Sequence, residues 1–565
     1  MGLSVPLRPR PPGENRRSDP RTGVTFPGPA AGLRRDFRDS LCKAMISPFA
    51  PPFPGRLPAA RPRGKTVGKT AEPAEAAEPA AESFADLVAA EDVLIFVNAA
   101  VTATGQREFR SDAAEQRLSL AFLHEYVQVN YRPVYAAALA LDINDHNAAL
   151  IIERLLRTSG EVDAEQKRRE GELIAARLAV LPPQRVYRLF RALRAAKVNN
   201  RRTRAIQREW LAARPDLGLD AVKYREGLRT AVRHTHLPPG PAEGAKELGD
   251  FLFRPKHRTR YAHPLLEAHR RAHYEQGAVY ELPFTVAEGF AARHGVAREV
   301  FLERIAPRMT RLERLRTRAA NPASAPRADL ASMPLTRLAL YVLSLSLDER
   351  SRRREELTGA LRASALRAAG PHAGSWGTVA AVLDDSYSSY GSGVKRRRPL
   401  AVALGAHYLL AALAGSYRAH WTSGRADALL VRPWGASPVG ARILDALEGP
   451  PERLVIVSDG WDNAPPGLAG EVLRVWRTRL DAARRTSVVH LNPVYDADGL
   501  DVRRLAPSVP TAGVRDAEDL PALVEIAQFA EGRTGLAELQ SYLDRRVERF
   551  VAAHRRRGGD REGSR

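Results

Sequence analysis

The feature that most constrains this chain is an alternation of short apolar, β-prone runs with amphipathic helical stretches between Thr378 and Leu491. Thr378–Leu383 reads as a strand that ends in Asp384. Spacing then predicts a helix over Pro399–Leu413, a strand over Ala428–Val431, a helix over Pro438–Leu447 and a strand over Arg453–Val457. A helix over Gly470–Arg484 and a strand over Ser487–Leu491 follow. Strands that alternate with crossover helices imply parallel pairing in a doubly wound sheet. Ligands of such sheets bind beyond the carboxyl ends of the strands, so chemistry is sought first in the residues that follow each strand.

Two of those strand ends carry acids. Asp384-Asp385-Ser386-Tyr387-Ser388 contains Asp-x-Ser-x-Ser, and Ser458-Asp459-Gly460 follows the later strand. Alone, Asp-x-Ser-x-Ser is more often a turn. Here a strand precedes it, a helix follows it, and a second Asp-Gly closes another strand. Two carboxylates and two hydroxyls that converge form the all-oxygen, partly hydrated shell that Mg²⁺ prefers. The arrangement resembles the metal-ion-dependent adhesion site of von Willebrand A domains. That resemblance implies a divalent-cation site, most readily Mg²⁺, on Asp384, Ser386, Ser388 and Asp459. In that family a third loop adds a Thr; the loop after Val431 offers Gly435-Ala436-Ser437 instead, so Ser437 takes that place. The run Lys395–Arg398, just after the site, opposes cation binding. No nucleophile with an adjacent base emerges, so no catalysis is expected. The role implied is to present a metal to a partner's carboxylate.

Upstream the grammar is different. From about Phe84 to Gly370 apolar residues recur three and four apart, as in Val93, Phe96 and Val97, or Leu120, Leu123 and Val127. Such spacing is helical. Pro133, Pro182-Pro183, Pro215, Pro238-Pro239 and Pro283 break the pattern at intervals that suit helix pairs. Stacked antiparallel pairs, an α-solenoid, hide such faces against one another. The predicted fold is therefore α plus α/β, multidomain. Residues 1–82 read as a disordered Pro/Arg-rich tail, 83–372 as a helical-repeat domain, 373–558 as the α/β domain with a C-terminal helix, and 559–565 as a disordered tail. Gly64-Lys65-Thr66 and Gly68-Lys69-Thr70 are not a phosphate-binding loop, because the spacing and the Pro-rich flanks are wrong.

Charge narrows the partner. Lys plus Arg number 87 against 65 Asp plus Glu, a surplus of 22 positive charges. A surplus of that kind attracts polyanions. Its densest part is Lys197, Arg201, Arg202, Arg204 and Arg208, followed by Lys223, Arg225, Arg229, Arg233, His234 and His236. On a helix Arg201, Arg204 and Arg208 face one way, as a phosphate backbone requires. A second cluster is Arg254–Arg260. Arg-rich helices also serve simply as solvated faces, and both readings stand at this stage.

Local wording adds a resemblance. Thr203-Arg-Ala-Ile206, Ala221-Val-Lys-Tyr-Arg225, Arg233-His-Thr-His-Leu-Pro238 and Met309-Thr-Arg-Leu-Glu-Arg-Leu315 (or Met333–Leu338) resemble short blocks of the Ro autoantigen (TROVE) family. The shared layout, helical repeats followed by a von Willebrand A domain, covers roughly residues 84 to 555. The resemblance implies a ring of HEAT-type repeats in a ribonucleoprotein. It further implies binding of small noncoding Y RNAs on the outer surface and of single-stranded 3′ ends of misfolded RNA in the central hole. Arg204 and the His236 block then fall where that family's basic residues meet RNA, while the loop between Tyr224 and Arg233 is shorter than the family's. An RNA-processing protein is the implied partner of the A domain. The competing reading is an interaction scaffold that docks an acidic partner residue through the metal. Cys42 is the single cysteine, so no disulfide framework exists. The apolar run Leu400–Gly415 contains His407 and is shorter than the roughly 20 residues that span a bilayer. With no secretory signal pattern at the N-terminus, a cytoplasmic protein without a membrane partner is expected.

Overall fold

The computed structural model describes residues 84–236, 242–255, 257–320, 329–521, 523 and 536–562. The tail expected over 1–82 lies outside the described residues, as do Leu237 and Pro238 of the Ro-like wording and Lys256 of the second basic cluster. The helical part comprises α1 (Phe84–Thr102), α2 (Ala113–Asn130), α3 (Arg132–Ala137), α4 (Asp145–Arg157), α5 (Ala164–Val180), α6 (Pro183–Ala195) and α7 (Arg201–Ala212). It continues with α8 (Leu217–Lys223), α9 (Arg225–Thr235), α10 (Ala242–Phe253), α11 (Pro264–Arg271), α12 (Phe284–Arg293), α13 (Arg298–Ile305) and α14 (Arg311–Ala320). Its boundaries have local causes. Asp112, Asn144, Asp163, Asn200 and Asp216 each accept a hydrogen bond from the first turn of the helix they precede. Pro133, Pro183 and Pro264 occupy first-turn positions, where a missing N–H costs nothing. Neighbours in sequence alternate in space: α4 lies against α6, α5 against α7, and α6 against α9.

Three further helices, α15 (Leu335–Ser344), α16 (Leu347–Arg352) and α17 (Arg354–Ala369), lead into the sheet. Strands β1 (Thr378–Leu383), β2 (Ser416–Trp421), β3 (Arg453–Val457), β4 (Ser487–Asn492) and β7 (Thr511–Gly513) form one sheet in the order β2-β1-β3-β4-β7, every pair parallel. A two-residue hairpin, β5 (Tyr495–Asp496) with β6 (Asp501–Val502), lies outside it. Connections run through α18 (Arg398–Leu413), α19 (Val439–Leu447) and α20 (Leu468–Val475), and α21 (Leu536–Glu562) ends the described chain. Residues 559–562, expected in a disordered tail, thus continue that last helix; elongating an existing helix costs far less than starting one. Alternate strand residues face opposite layers. Val379, Ala381, Leu383, Val455 and Val457 pack with α15, α17 and α18, whereas Ala380, Val382, Leu454 and Ile456 pack with α19 and α20. Helices therefore cover both faces.

One strand lies elsewhere than expected. Ala428–Leu430 is a 3₁₀ turn capped by Asp427, and the second strand is Ser416–Trp421. The apolar triplet Leu429-Leu430-Val431 imitates a buried strand. The real one is an edge strand, paired on one side only, and tolerates Arg418 and His420. The helix expected over Gly470–Arg484 runs over Leu468–Val475 and widens into a π turn over Trp476–Leu480.

Helical and α/β parts meet at two joints. At one, α15–α17 share a core with the sheet, and Thr336 donates to Glu518 (Oγ1 to Oε2, 2.6 Å) while accepting from the Ala517 N–H. Buried Arg350 donates to the carbonyls of Leu343, Leu345, Leu429 and Val431, which ties α16 to the 3₁₀ turn. At the other, α1 packs on β6, β7 and α21, and α21 also covers α3 and α5. There Asn98 donates to Asp501 (2.9 Å) and accepts from the Gly513 N–H (2.8 Å). A Cβ on Gly513 would stand 2.9 Å from Thr102 Cγ2, so only glycine lets α1 approach β7 this closely.

Asn98→Ala is expected to cost about 1–3 kcal/mol in urea unfolding, because it strips a buried carboxylate and a buried N–H of their partner. Burial pushes the Asp501 carboxyl up to about 6, above its unfolded value of about 4. Its protonated form therefore favours folding. The stability it contributes is complete below pH ~4 and lost as pH rises through ~6. Asp501→Asn, which keeps an acceptor for Asn98, should gain melting temperature over the native chain as pH rises from 5 to 7, and the gain should vanish near pH 4.

Candidate functional site

The sheet order places a switch point between β1 and β3, since the chain leaves β1 toward β2 and returns to β3 on its other side. Leu383 pairs with Val457, and the Asp384 N–H extends the ladder to the Val457 carbonyl (2.9 Å). The residues just past both strands are thereby brought side by side at the crevice where such sheets bind ligands. Asp384 is 5 % exposed and Asp459 8 %.

The loop is held by short polar groups. Asp384 Oδ1 accepts from the Ser386 N–H (2.9 Å), Thr422 Oγ1 (3.1 Å) and Ser437 Oγ (3.4 Å). Ser386 and Ser388 hydroxyls lie 3.2 Å apart, and Ser388 donates to Asp459. Asp459 Oδ1 also accepts from the Trp461 N–H (3.1 Å). The Ser437 loop is fastened by its own N–H to Asn463 Oδ1 (2.8 Å). All five residues read as metal ligands from the sequence, including Ser437, thus converge on one small volume. Gly460, at φ +77°, lets the chain turn past the Arg503 carbonyl, which a Cβ would meet at 2.4 Å.

Two groups that sequence reasoning missed complete the loop. Thr422, the first residue after β2, bridges Asp384 and Asp385 with one hydroxyl (3.1 and 2.9 Å). It was hidden because the second strand was sought ten residues later. Asp385 is fully buried and is spent on Thr422 and Ser423, so it braces the loop. The cationic run after the site is also spent. Lys395 forms a buried ion pair with Glu108, Arg397 donates to the Leu343 carbonyl, Arg398 donates to the Arg515 carbonyl (2.7 Å), and Arg396 lies over Tyr390. Lys395 thereby ties the loop between α1 and α2 to the α/β part, and none of the four side chains is hydrogen-bonded to Asp384.

Burial raises the Asp384 carboxyl, and the charge of Asp459 raises it further. Burial raises Asp459 too, opposed by the Ser388 hydroxyl, the Trp461 N–H and the charges of Arg110 and Arg503. Two carboxylates desolvated together favour a shared proton or a cation between them. Among the described residues no three His, Cys, Asp or Glu side chains cluster as a metal site, so hydroxyls would supply much of any shell. Carboxylate and hydroxyl oxygens on short side chains fit a hard divalent ion.

The basic residues divide into two groups. Arg202 pairs with buried Glu170 (3.3 Å), Lys223 with Glu313 (3.9 Å) and Arg229 with Glu226 (2.7 Å), while Arg225 donates to the Phe251 carbonyl and lies over its ring. These four brace helices. Lys197, Arg201, Arg204, Arg208, Arg233 and His236 form no ion pair among the described residues; Arg208 caps α9 at the Thr235 carbonyl (2.8 Å). Arg194, Arg204 and His236 all act on the buried His234 ring, which burial first and these charges next hold below its ordinary pKa. The ends of α6 and α9 thus meet the exposed face of α7 in one positive corner. Arg194, at the end of α6, was missed because it lies outside the Arg-dense run. Trp210 and Tyr224 belong to the core or pack against it. Of the second cluster, Arg254 and Arg258 converge on buried Asp250 (2.9 and 2.7 Å).

Thr422→Val removes the donor shared by two buried carboxylates. It is expected to cost about 1–3 kcal/mol in urea unfolding with chelator present, with the larger part of the loss recovered if the second carboxylate is also neutralised by Asp385→Asn.

No family model matches the sequence, and no curated protein is significantly similar to it. Among solved structures, the crystal structure of the Deinococcus radiodurans Ro (RSR) protein is similar to this chain, with 15 % identity and a TM-score of 0.46, covering 78 % of this chain and 100 % of that one. No helix among the described residues is long and apolar enough to cross a membrane.

Proposed function

We propose that this chain is a non-catalytic RNA-binding protein of the Ro type, a ring of HEAT-like helical repeats closed by a von Willebrand A-type domain. The observation that carries this reading is the positive corner where Arg194, Arg204 and His236 converge on His234, in the same stretch as Lys197 and Arg201, none of the five with an ion pair among the described residues. Backbone phosphates are the ligand that such a corner neutralises best, and a shape-reading surface of this sort needs no base code. Small noncoding RNA of the Y type, or the single-stranded 3′ end of a misfolded RNA, is the substrate class that the Ro-like wording around Thr203 and Arg233 supports. The two joints, which return the helical repeats to the sheet at both ends, support a closed ring. In the A-type domain, Asp384, Ser386, Ser388, Ser437 and Asp459 would hold Mg²⁺ as an accessory docking point for an acidic residue of a protein partner, an RNA-processing protein being the class expected. The metal would supply a coordination site for that carboxylate; the chain's own hydroxyls orient the two Asp side chains for it.

Salt tests the RNA reading. Log affinity should fall linearly with log salt, by roughly 0.7–0.9 per phosphate neutralised. Arg201→Ala with Arg204→Ala should flatten that slope by about 2 and leave the melting temperature unchanged, since neither side chain braces the fold. A salt-independent affinity would refute the proposal. For the metal, saturating Mg²⁺ at a hundredfold excess over its Kd should stabilise the native chain by about 2.7 kcal/mol. Asp384→Ala should abolish that gain and spare RNA affinity. Identical melting in Mg²⁺ and in chelator would remove the metal from the account.

A further inference from the structure

Around the two buried carboxylates lies a rim of a different chemistry. Trp434 is 61 % exposed and Tyr387 65 %, and both are pinned to the loop through the backbone. The Trp434 N–H donates to the Asp385 carbonyl (2.9 Å), and the Tyr387 N–H to the Gly435 carbonyl (3.1 Å). The Tyr387 ring meets Phe109 edge-on at 6.0 Å. Arg110 follows Phe109, and its guanidinium lies 4.0 Å from the centre of the Trp461 ring, with that of Arg503 at 3.7 Å from the same centre. Arg432 lies over Trp434 at 5.1 Å. Exposed Trp434 and Tyr387, half-buried Phe109 and Trp461, and the guanidiniums of Arg110, Arg432 and Arg503 thus lie together around the crevice.

Trp434 and Tyr387 are two large exposed aromatics whose loops are hydrogen-bonded to each other, and apolar surface gathered in one place marks an interaction site more than single exposed residues do. Arg110, Arg432 and Arg503 are exposed and form no ion pair among the described residues. The acid that Arg110 and Arg503 face, Asp459, is buried at the base of the crevice, and Asp462, next to Trp461, is engaged by the Ala469 N–H (2.6 Å). The edge therefore presents positive charge and π faces together. A carboxylate-bearing peptide would use the charge and leave the rings idle. A single nucleic-acid strand uses both, since bases stack on rings and guanidinium planes while phosphates meet the charge. We infer that this rim is a second RNA surface, which binds a short single strand by stacking on Trp434 and Tyr387 with Arg110 and Arg503 on its phosphates. It is separate from the helical corner. It shares with the proposed function only the class of ligand, and no bound metal is required for it.

The test uses the full chain and a single-stranded octauridylate, followed by tryptophan emission. Binding should quench the emission. Trp434→Phe should remove most of the quench and hold Kd within about twofold, because a ring remains; Trp434→Ala should raise Kd about tenfold. Arg110→Ala with Arg503→Ala should raise Kd comparably and make its salt dependence shallower. Because Trp434 anchors the loop through its backbone, each variant should melt with the native chain. An unchanged Kd for Trp434→Ala overturns the proposal. So does an acidic decapeptide that quenches the same emission where the octauridylate does not, which would assign the rim to a protein partner. The variant Arg201→Ala with Arg204→Ala separates the two RNA surfaces: a retained octauridylate quench supports the rim whatever becomes of the corner, and its loss shows that the rim has no affinity of its own.

Discussion

The parallel pairing of β1 with β3 is the constraint on which the rest of this molecule depends. It joins strands that are far apart in sequence and forces the chain to cross from one side of β1 to the other. In that register the residues just past Leu383 and Val457 must share one crevice. Asp384 is the first residue past β1 and Asp459 the second past β3, and burying two acids together is unfavourable unless something offsets their repulsion. The surrounding detail answers this demand. Ser386, Thr422 and Ser437 point hydroxyls or N–H groups at Asp384, and Ser388 and the Trp461 N–H do so for Asp459. These donors, with the charges of Arg110 and Arg503 beside Asp459, offset the cost of holding the two carboxylates together.

Charge is distributed with the same economy. A surplus of 22 positive charges suggests an indiscriminate polycation, yet many of the cations are engaged. Arg350 closes four carbonyls, Lys395 is buried against Glu108, Arg177 donates to the carbonyls of Leu141 and Ile143, and Arg132 with Arg202 neutralises Glu170. Guanidinium suits this work, since its planar fork serves several carbonyls at once and keeps its charge when buried. Among the described residues, some of the cations without an ion pair lie at the ends of α6, α7 and α9 and along the Trp434–Arg503 rim. Function is therefore sought in the charges left over once structure has been satisfied.

The legibility of the sequence followed the strength of local signals. β1, β3 and β4 were readable because strands buried on both faces are continuous apolar runs bounded by breakers. The acids at their ends were readable from position alone. β2 was not: an edge strand carries Arg418 and His420 where a central strand carries valine, and the nearby Leu429-Leu430-Val431 gives a stronger apolar signal than the strand itself. Thr422 was lost with it. The place of Ser437 beside Asp384 was accessible because it precedes a helix in the expected place. Arg202, Arg225 and Arg229 looked the same in sequence as Arg201 and Arg204, since a free guanidinium and one that braces a buried carboxylate differ only in long-range contacts.

The largest illegible element is the contribution of the first helices to the α/β crevice. Phe109 and Arg110 lie in the loop between α1 and α2, with no motif to mark them. They reach Tyr387 and Trp461 because α1 is locked onto β7 by Asn98 and Gly513, and because Glu108 is fixed by Lys395. Those restraints are themselves buried and polar, so they are strong only as a set: each group left without its partner costs more than the bond was worth. The run Lys395–Arg398 takes on a meaning here that its composition conceals. Read alone it repels a cation. In the fold, its lysine instead anchors the very loop that carries an aromatic ring and an arginine to the rim. The crevice is thus assembled by both parts of the chain, with residues 103–112 as the only backbone between the α1 joint and the Arg110 that packs on Trp461.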